Sequence, residues 1–312
     1  MNLSSPQETY LRDQAALAEA AHAGRRRSWW RRNGSTLLLL SPLLLFMIGV
    51  FAAPMIFQIA FAFFERVLVA GVLWLPKPAF YLGNFYQAFA DPVYRYSIFF
   101  TVGVALVTTI ANILLALPVA YFLARMNVVG RSIIELSFLL PIFGEIFTIY
   151  ALAYALTPQG PFNWLLTNLK LISTPLSIVG NPWVVIVWMS LPTLSVLLIR
   201  SAFSNVDIVY EEAAQTMGAS PWKIFFRVTV PLAKNGIAGA FLLVFSAGVG
   251  AYTIPLVLVG PYNDWLTNKI QREINPYFNY PMASALGVIL PLICALLFYL
   301  YLGTQEEKRS DS

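Results

Sequence analysis

The chain has 312 residues, of which 58% are hydrophobic, 15% are aromatic and only 11% are charged. Together with a mean hydropathy of +0.69, this composition excludes a pair of ordinary soluble domains and predicts a polytopic membrane protein. The net charge of +5 comes from basic residues that flank apolar runs, which indicates topology signals and not nucleic-acid binding. A single cysteine, Cys294, and a single histidine, His22 in the N-terminal tail, exclude a disulfide framework, a cysteine-based metal site and histidine catalysis inside the membrane.

The first 35 residues form a polar tail that ends in a basic boundary. In residues 25–32, five arginines surround Trp29 and Trp30 immediately before an apolar run. This pairing is typical of a cytoplasmic membrane boundary, because arginine stays with lipid phosphates and indole lies at headgroup depth. The apolar run begins too late and is too long for a signal peptide. We therefore expect residues 1–35 to be a cytoplasmic tail and the apolar run to remain as the first span.

Six apolar runs are long enough to cross a membrane, given roughly 20 residues per span. Their approximate limits are Thr36 to Phe64, Tyr96 to Leu123, Ser132 to Leu156, Trp183 to Ser201, Gly236 to Val259 and Met282 to Leu302. The sequence thus predicts an all-α membrane domain of about six helices over residues 36–303, followed by a short cytoplasmic tail, residues 304–312.

The distribution of basic residues tests this topology independently, because cytoplasmic segments hold the excess of Lys and Arg. With the N-terminus inside, the inner segments hold thirteen of them: Arg25, Arg26, Arg27, Arg31, Arg32, Arg125, Arg131, Arg200, Lys223, Arg227, Lys234, Lys308 and Arg309. The outer loops hold six: Arg66, Lys77, Arg95, Lys170, Lys269 and Arg272. The pattern predicts that both termini and the loop 204–234 are cytoplasmic.

Two carboxylates fall within the third predicted span. Glu135 lies four residues after Arg131, so a local ion pair near the inner surface explains it. Glu145 lies near the middle of the span, after Pro141, and Thr148 follows on the same helical face. An unpaired charge at that depth costs several kcal/mol, so Glu145 is predicted to be paired, protonated or exposed to water in a pathway. It is either an anionic contact for a cationic solute or a structural partner of a neighbouring helix.

The segment 204–234 is a polar island between two apolar runs. Gly218 suits the end of one helix, and Ser220 and Pro221 suit the N-cap and first residue of the next. We expect two short helices joined by a tight turn at residues 218–220. Ala214 and Gly218 lie on one helical face, so a partner could approach closely beside Glu212.

The spacing in this island resembles a known motif. Glu212-Ala213-Ala214 is followed by three residues, Gly218, nine residues and then Val228-Thr229-Val230-Pro231. This resembles the EAA loop of the permeases of binding-protein-dependent ABC importers, with valines in place of the usual Ile and Leu. The resemblance implies a type I ABC importer fold and a cytoplasmic coupling loop that docks into a cleft on an ATPase subunit. It places Glu212, Ala213, Ala214 and Gly218 at the contact with the ATPase, and beside them the start of the second helix, Ser220, Pro221, Trp222 and Lys223.

The C-terminal third resembles the spermidine/putrescine-type permeases. The resemblance rests on the segment 250–260, GAYTIPLVLVG, on the short helix LTNKI at 266–270, and on YPMASA at 280–285. Three positions depart from that pattern, since Pro261 replaces a second glycine, Tyr280 a tryptophan and Ser284 an alanine. The resemblance implies that the solute is small and is a polyamine or a similar cationic compound; sugar, phosphonate and iron-complex permeases are the alternatives.

The resemblance also implies the partners. They are a second, similar permease, two ATPase subunits, an extracytoplasmic solute-binding protein and the lipids of a bacterial inner membrane. The sequence contains no G-x-x-x-x-G-K-[ST] loop, so ATP and Mg²⁺ are expected on the ATPase subunits and the chain is not expected to be an enzyme. A secondary transporter is the rival class, although it would usually carry more intramembrane charge or a visible repeat.

Several polar and aromatic residues in the spans are candidates to line the solute pathway with Glu145 and Thr148. Aromatic rings near a carboxylate would suit an amine through cation–π contact. The candidates are Trp188, Ser190, Thr193 and Ser195 on the fourth span, and Ser246, Tyr252 and Thr253 on the fifth. Each of them is also compatible with a packing role.

Overall fold

A computed structural model describes residues 39–69, 73–126, 130–275 and 277–310. The predicted N-terminal tail and its arginine-tryptophan boundary lie outside these described residues. The helices are α1 Leu39–Ala62, α2 Gly83–Ala90, α3 Pro92–Arg125, α4 Arg131–Phe143, α5 Glu145–Leu156, α6 Pro161–Asn168, α7 Pro182–Ser190, α8 Leu194–Ser204, α9 Ile208–Thr216, α10 Pro221–Leu232, α11 Lys234–Val249, α12 Thr253–Leu258, α13 Leu266–Ile274 and α14 Tyr280–Ser310. Two strands, β1 Glu65–Val69 and β2 Leu73–Lys77, form an antiparallel hairpin.

The chain divides into two compact units, Met1–Gln58 and Ile59–Ser312. In the first unit, the described residues 39–58 are helical and include a π-helical turn, Ile48–Ala52. The second unit contains the hairpin, the end of α1 and the remaining helices.

The helices confirm the predicted polytopic all-α class. Within the described residues, four helical segments are long and apolar enough to cross a membrane without a sharp bend: α1, α3, the α7–α8 segment and residues Tyr280–Tyr301 of α14. Two further pairs of helices could each form one bent span, which would bring the number to six. Helix α4 and the α5–α6 segment are bent by 87° at their break, and α10 and α11 are bent by 74°. The six predicted spans correspond to six helical units only when each bent pair is counted as one span.

Three of the predicted spans are interrupted in the structure. The third breaks at Gly144, three residues after Pro141, and the fourth breaks between Ser190 and Leu194 around Pro192. The fifth ends at Val249, and α12 continues as a separate short helix. Proline removes a backbone donor and glycine ends helices readily, so these residues explain the breaks.

Side chains satisfy the carbonyl groups that the breaks expose. At the α7–α8 break, the amide of Asn112 on α3 donates to the carbonyl of Leu191 at 2.8 Å and to that of Met189 at 3.4 Å. At the α11–α12 break, Thr267 Oγ1 donates to the carbonyl of Ala251 at 2.6 Å. A free carbonyl at membrane depth costs several kcal/mol, so these contacts permit non-helical backbone inside the bundle.

Helix α3 lies at the centre of the second unit. It packs against α2, α7, α8, α11 and α13, and most of its buried residues are small or branched. Close approach depends on small side chains, since a Cβ atom added to Gly248 on α11 would lie 3.3 Å from that of Ala105 on α3. Toward the C-terminal end of α3, its side chains join α8 and α10 in one apolar cluster that includes Leu123, Phe203 and Phe225.

The β-hairpin was not predicted. It pairs Glu65 with Lys77 and Val67 with Leu75, in the segment between the first two predicted spans. Asn84, at the start of α2, ties this segment to the end of α1 by donating to the carbonyls of Ala62 and Phe64, at 2.9 and 2.8 Å.

The α7–α8 break gives a stability prediction. Substituting Asn112→Leu leaves the carbonyls of Met189 and Leu191 without their donor, and we expect the free energy of unfolding to fall by about 1–3 kcal/mol. The control is Asn168→Leu, which removes one exposed amide contact, to the carbonyl of Trp164, at the end of α6. Unfolding of both variants is followed in detergent. Equal losses would contradict a special role for Asn112.

Candidate functional site

The polar island folds as the sequence predicts, into α9, a tight turn and α10. Asp207 caps α9, because its carboxylate accepts the backbone N–H of Val209 at 3.0 Å. At the other end, Gly218 has φ +81°, its N–H donates to the carbonyl of Gln215 at 2.8 Å, and Ala219 donates to that of Ala214 at 3.0 Å. These paired bonds form a Schellman motif, which requires the left-handed conformation that glycine adopts without strain.

A buried carboxylate anchors this loop to the transmembrane bundle. Glu211 is only 4% exposed, and Arg125, the last residue of α3, donates to it from Nη2 at 2.7 Å and from Nε at 3.0 Å. Tyr121 Oη donates at 3.1 Å and Thr229 Oγ1 at 2.8 Å. Arg125 also donates to the carbonyl of Val206, just before α9, at 2.9 Å. One carboxylate therefore joins α3, α9 and α10.

Aromatic packing supports the same junction. The ring of Tyr121 meets Phe225 edge to face, with centroids 5.0 Å apart, and Phe203 at 5.9 Å. Residues Phe225–Thr229 form a π-helical turn within α10. That turn contains both the buried ring of Phe225 and the hydroxyl of Thr229 that binds Glu211. Such turns often occur at functional positions in helices.

The opposite face of the loop is exposed and partly apolar. Met217 is 82% exposed and Trp222 is 69% exposed, and Trp222 stacks on the exposed ring of Phe226 with centroids 5.9 Å apart. The charged side chains of Glu212 and Lys223 lie exposed in the same two helices. We call these five residues the docking surface. An exposed apolar patch with charged neighbours is typical of a protein interaction site.

Most of the predicted docking residues lie on the exposed side of the loop. They are Glu212, Ala213, Gly218, Ser220, Pro221, Trp222 and Lys223. Ala214 differs, because it is only 6% exposed and packs inside the chain. Ser220 occupies the N-cap position of α10 as predicted, although its side chain makes no capping hydrogen bond.

The sequence did not predict the ion pair between Glu211 and Arg125. Two adjacent glutamates, Glu211 and Glu212, resemble a doubled docking charge, yet Glu211 is buried and only Glu212 is exposed. One signal was present, since Glu211 stands three residues before the buried Ala214 and therefore shares its face of α9. Nothing in the local pattern identifies Arg125, 86 residues earlier, as its partner.

The structure corrects the position of Glu145. It is not in the middle of a continuous span but is the first residue of α5, directly after the break at Gly144, and it is exposed in this chain. Among the described residues, its side chain has no hydrogen bond or ion pair. A carboxylate in the first turn of a helix is favoured by the helix dipole, which reduces the need for a charged partner.

Among the described residues, the other pathway candidates have separate local roles. Thr148 donates to the carbonyl of Gly144 at 2.8 Å and so caps the break. Thr193 and Tyr252 are the N-cap residues of α8 and α12, while Trp188 packs into an apolar cluster with Val104 and Trp265 and is half-buried. Ser246 is exposed and lines a cavity of about 540 Å³ beside α8 and α11, together with Ser201, Ala202, Gly236, Gly239 and Phe298.

The predicted ion pair of Glu135 is confirmed and extended. Arg131 Nε lies 2.7 Å from Glu135 Oε1, and Arg200 Nη1 on α8 lies 2.6 Å from Oε2. The carboxylate thus bridges α4 to α8. These two ion pairs explain why a charged residue is found at this position.

A comparison with known protein families supports the sequence interpretation. The family described as "Binding-protein-dependent transport system inner membrane component" matches residues 106–305, more than half of the chain. The spermidine/putrescine transport system permease protein PotB of Escherichia coli (strain K12) is 28% identical over 254 residues, which cover 78% of this chain and 92% of that protein. The molybdenum transport system permease protein ModB of Haemophilus influenzae is 32% identical over 163 residues, which cover 51% of this chain and 69% of that protein.

Solved structures share the fold. A bacterial ABC transporter involved in the import of the acidic polysaccharide alginate contains a chain that matches with a TM-score of 0.71 at 18% identity, covering 90% of this chain and 99% of that one. A second structure is that of a bacterial alginate ABC transporter in complex with alginate pentasaccharide-bound periplasmic protein. It matches with a TM-score of 0.69 at 16% identity, and the match covers 87% of this chain and 93% of that one.

The buried anchor gives a prediction with an adjacent control. Glu211→Gln removes the charge that compensates the guanidinium of Arg125, whose side chain is 14% exposed, and we expect the free energy of unfolding to fall by about 3–5 kcal/mol. Glu212→Gln changes an exposed residue and should stay within about 0.5 kcal/mol of the wild type. Denaturant titration in detergent measures both. A loss for Glu212→Gln as large as that for Glu211→Gln would refute the assignment of the anchor.

Proposed function

Since this chain belongs to the binding-protein-dependent transport system inner membrane components and is thus a permease subunit of an ABC importer, we propose that it forms half of a pathway for a polyamine or similar cationic solute. The observation that supports this solute is the match to a spermidine/putrescine permease over 92% of that protein's length. The segments around Tyr252 and Met282 resemble the same subfamily. The alginate importers match at lower identity and share the fold.

In the proposed assembly, this inner-membrane subunit pairs with a second permease, two ATPase subunits and an extracytoplasmic binding protein. The ATPases hold ATP and Mg²⁺, and this chain supplies no catalytic group. The docking surface around Met217 and Trp222 enters a cleft on one ATPase, with Gly218 at the tip of the loop. Ser220, Pro221 and Lys223 stand beside this contact.

Motion of the ATPase reaches the bundle through the buried anchor. The loop is bound to α3 by the contacts of Glu211 with Arg125, and to α8 by the packing of Phe225 on Phe203. Because these contacts are buried, displacement of the docking surface moves the inner ends of α3 and α8 with it. The breaks in the α7–α8 and α11–α12 segments allow the outer parts of these spans to follow a different path.

Glu145 is the proposed contact for the cationic solute. Its exposed carboxylate stands at the helix break that follows Gly144. Thr148, Trp188, Thr193, Ser246 and Tyr252 remain candidate pathway residues in the assembled transporter, where a second permease completes the cavity. A carboxylate with aromatic neighbours recognises an amine through charge and cation–π contact.

The docking assignment predicts that a side chain at the tip of the loop blocks coupling without unfolding the protein. Gly218→Asn preserves the left-handed turn, because asparagine tolerates positive φ, but it adds a side chain to an open surface. We expect solute uptake and stimulated ATP hydrolysis to fall by about tenfold or more, corresponding to roughly 1.4 kcal/mol. Loss of the exposed carboxylate in Glu212→Ala should also weaken coupling.

Gly130 offers a matched control for this substitution. It has φ +80° and open space around its Cβ position, as Gly218 does, but lies at the start of α4 outside the coupling loop. Gly130→Asn should retain coupling. Normal coupling in Gly218→Asn would refute the docking assignment.

The solute assignment is tested by ATP hydrolysis of the reconstituted transporter with its binding protein. Spermidine and putrescine are compared with sugars, phosphonates, molybdate and ferric complexes. We expect stimulation by a polyamine, and Glu145→Gln should reduce uptake of that cation by about tenfold, since the charge contact is lost. Stimulation by a neutral sugar alone would exclude the polyamine assignment and give Glu145 a structural role.

A further inference from the structure

Two guanidinium groups share one carboxylate where α4 meets α8. Arg131 and Arg200 each contact a different oxygen of Glu135, at 2.7 and 2.6 Å. Within the described part of the chain, neither arginine has a second ion pair. Two positive charges and one negative charge therefore leave a formal charge of +1. We call these three residues the α4–α8 cluster.

The surplus charge of this cluster is accessible. At the coupling loop, by contrast, Arg125 and Glu211 balance each other and both side chains are almost buried. The three side chains of the α4–α8 cluster are between 24% and 31% exposed. A molecule outside the chain can therefore reach the cluster, and an anion gains from its net positive charge.

The chain also supplies fewer hydrogen-bond acceptors than the two arginines have donors. A guanidinium group carries several N–H donors in a planar fork. Arg131 uses its Nε on Glu135, and Arg200 uses its Nη1. Among the described residues, no acceptor binds the Nη groups of Arg131 or the Nη2 of Arg200, and the Nε of Arg200 is buried without a partner. Donors thus remain for an oxygen-rich anion.

The cluster lies on the same side of the membrane as the coupling loop. Arg200 stands four residues before α8 ends at Ser204, and α9 begins at Ile208. At 1.5 Å per residue, Arg200 is roughly 6 Å along the helix from that end. Arg131 is the first residue of α4. Both arginines therefore stand near a membrane boundary, where arginine side chains meet lipid phosphates.

The surface beside the cluster is apolar. Ile133, Leu136 and Leu140 on α4 are 74%, 59% and 66% exposed. Spacing of three and four residues places them on one face of the helix. Lipid tails are as apolar as leucine, so this face suits acyl chains. Charge for a headgroup and apolar surface for its chains thus stand on one helix.

We propose that Arg131 and Arg200 bind the phosphate of an anionic lipid in the leaflet on the side of the coupling loop. Guanidinium groups match phosphate with paired hydrogen bonds, and basic sites between membrane helices bind anionic headgroups. The bound lipid joins α4, which ends at the break at Gly144, to α8, which leads to the coupling loop. The site goes beyond the proposed function and does not depend on the solute.

The test measures lipid binding to the complete transporter. The transporter is purified in a neutral detergent, phosphatidylglycerol is titrated into it, and native mass spectrometry counts the lipid molecules retained. We expect the wild type to retain one molecule at this site for each copy of the chain. Arg131→Gln and Arg200→Gln should each weaken that binding about tenfold, because a charge-assisted contact to phosphate is lost.

Glu135→Gln distinguishes a lipid site from an ion bridge that only holds α4 to α8. It removes the carboxylate that competes with phosphate for both arginines, so we expect phosphatidylglycerol to bind about threefold more tightly. If the cluster is only a bridge, all three variants lower the melting temperature alike and leave lipid retention unchanged. Melting temperatures also verify that each variant is folded.

The control is Lys234→Gln. Lys234 is an exposed basic residue at the start of α11, next to the coupling loop and outside the α4–α8 cluster. Its neutralisation should change the binding of phosphatidylglycerol by less than about twofold, because a single exposed charge contributes little.

Four results would overturn this proposal. They are unchanged lipid retention in both arginine variants, weaker binding in Glu135→Gln, and displacement of the lipid by an equal concentration of inorganic phosphate, which would assign the site to a soluble anion. The fourth is a wild-type transporter that retains no phosphatidylglycerol here, as expected if a second permease covers α4. None of these results bears on the solute or on the ATPase contact, so the proposed function is tested separately.

Discussion

The buried contact of Glu211 with Arg125 is the constraint on which the geometry of the coupling loop depends. In a bundle with few charges, a carboxylate that is 4% exposed is stable only with full compensation, and four donor groups provide it. These donors come from α3 and α10, so they define where α9 lies relative to both helices. The apolar contacts of Tyr121 and Phe225 beneath the pair keep water from competing for it. The loop is consequently joined to the bundle as a rigid part of it.

The same rule of compensation explains how the spans tolerate their breaks. Each interruption exposes carbonyl groups at a depth where water is scarce, and in each a nearby polar side chain donates to one of them. Thr148 does so within its own helix, whereas Asn112 and Thr267 reach across from other elements. Some polar residues resemble pathway contacts because they lie within a span. Their hydrogen bonds to exposed backbone carbonyls explain part of this pattern. The break also places Glu145 at a helix terminus, where its charge is tolerated.

Helix α3 connects two polar regions of the molecule. Its first turn borders a polar cavity that contains Lys269, its middle satisfies the α7–α8 break, and its last turn holds the coupling loop. The polar contacts at its two ends and at its centre fix different neighbours to one continuous rod of 34 residues. In the proposed importer, such a helix relates events at the two membrane surfaces.

Local sequence alone determined the membrane class, the six helical units, the two helices of the coupling loop and its glycine turn. These features depend on apolar runs, on the left-handed preference of Gly218 and on the Ser220-Pro221 start of α10, all of which act within a few residues. The resemblance of the loop also led to the family. Tertiary structure alone decided that Glu211 is buried and Glu212 exposed, that Glu145 begins a helix, that residues 65–77 pair as strands, and that Lys269 lines a cavity with Arg66. Those outcomes depend on contacts between residues far apart in the chain, and the compensation of a buried charge cannot be read from its sequence neighbours.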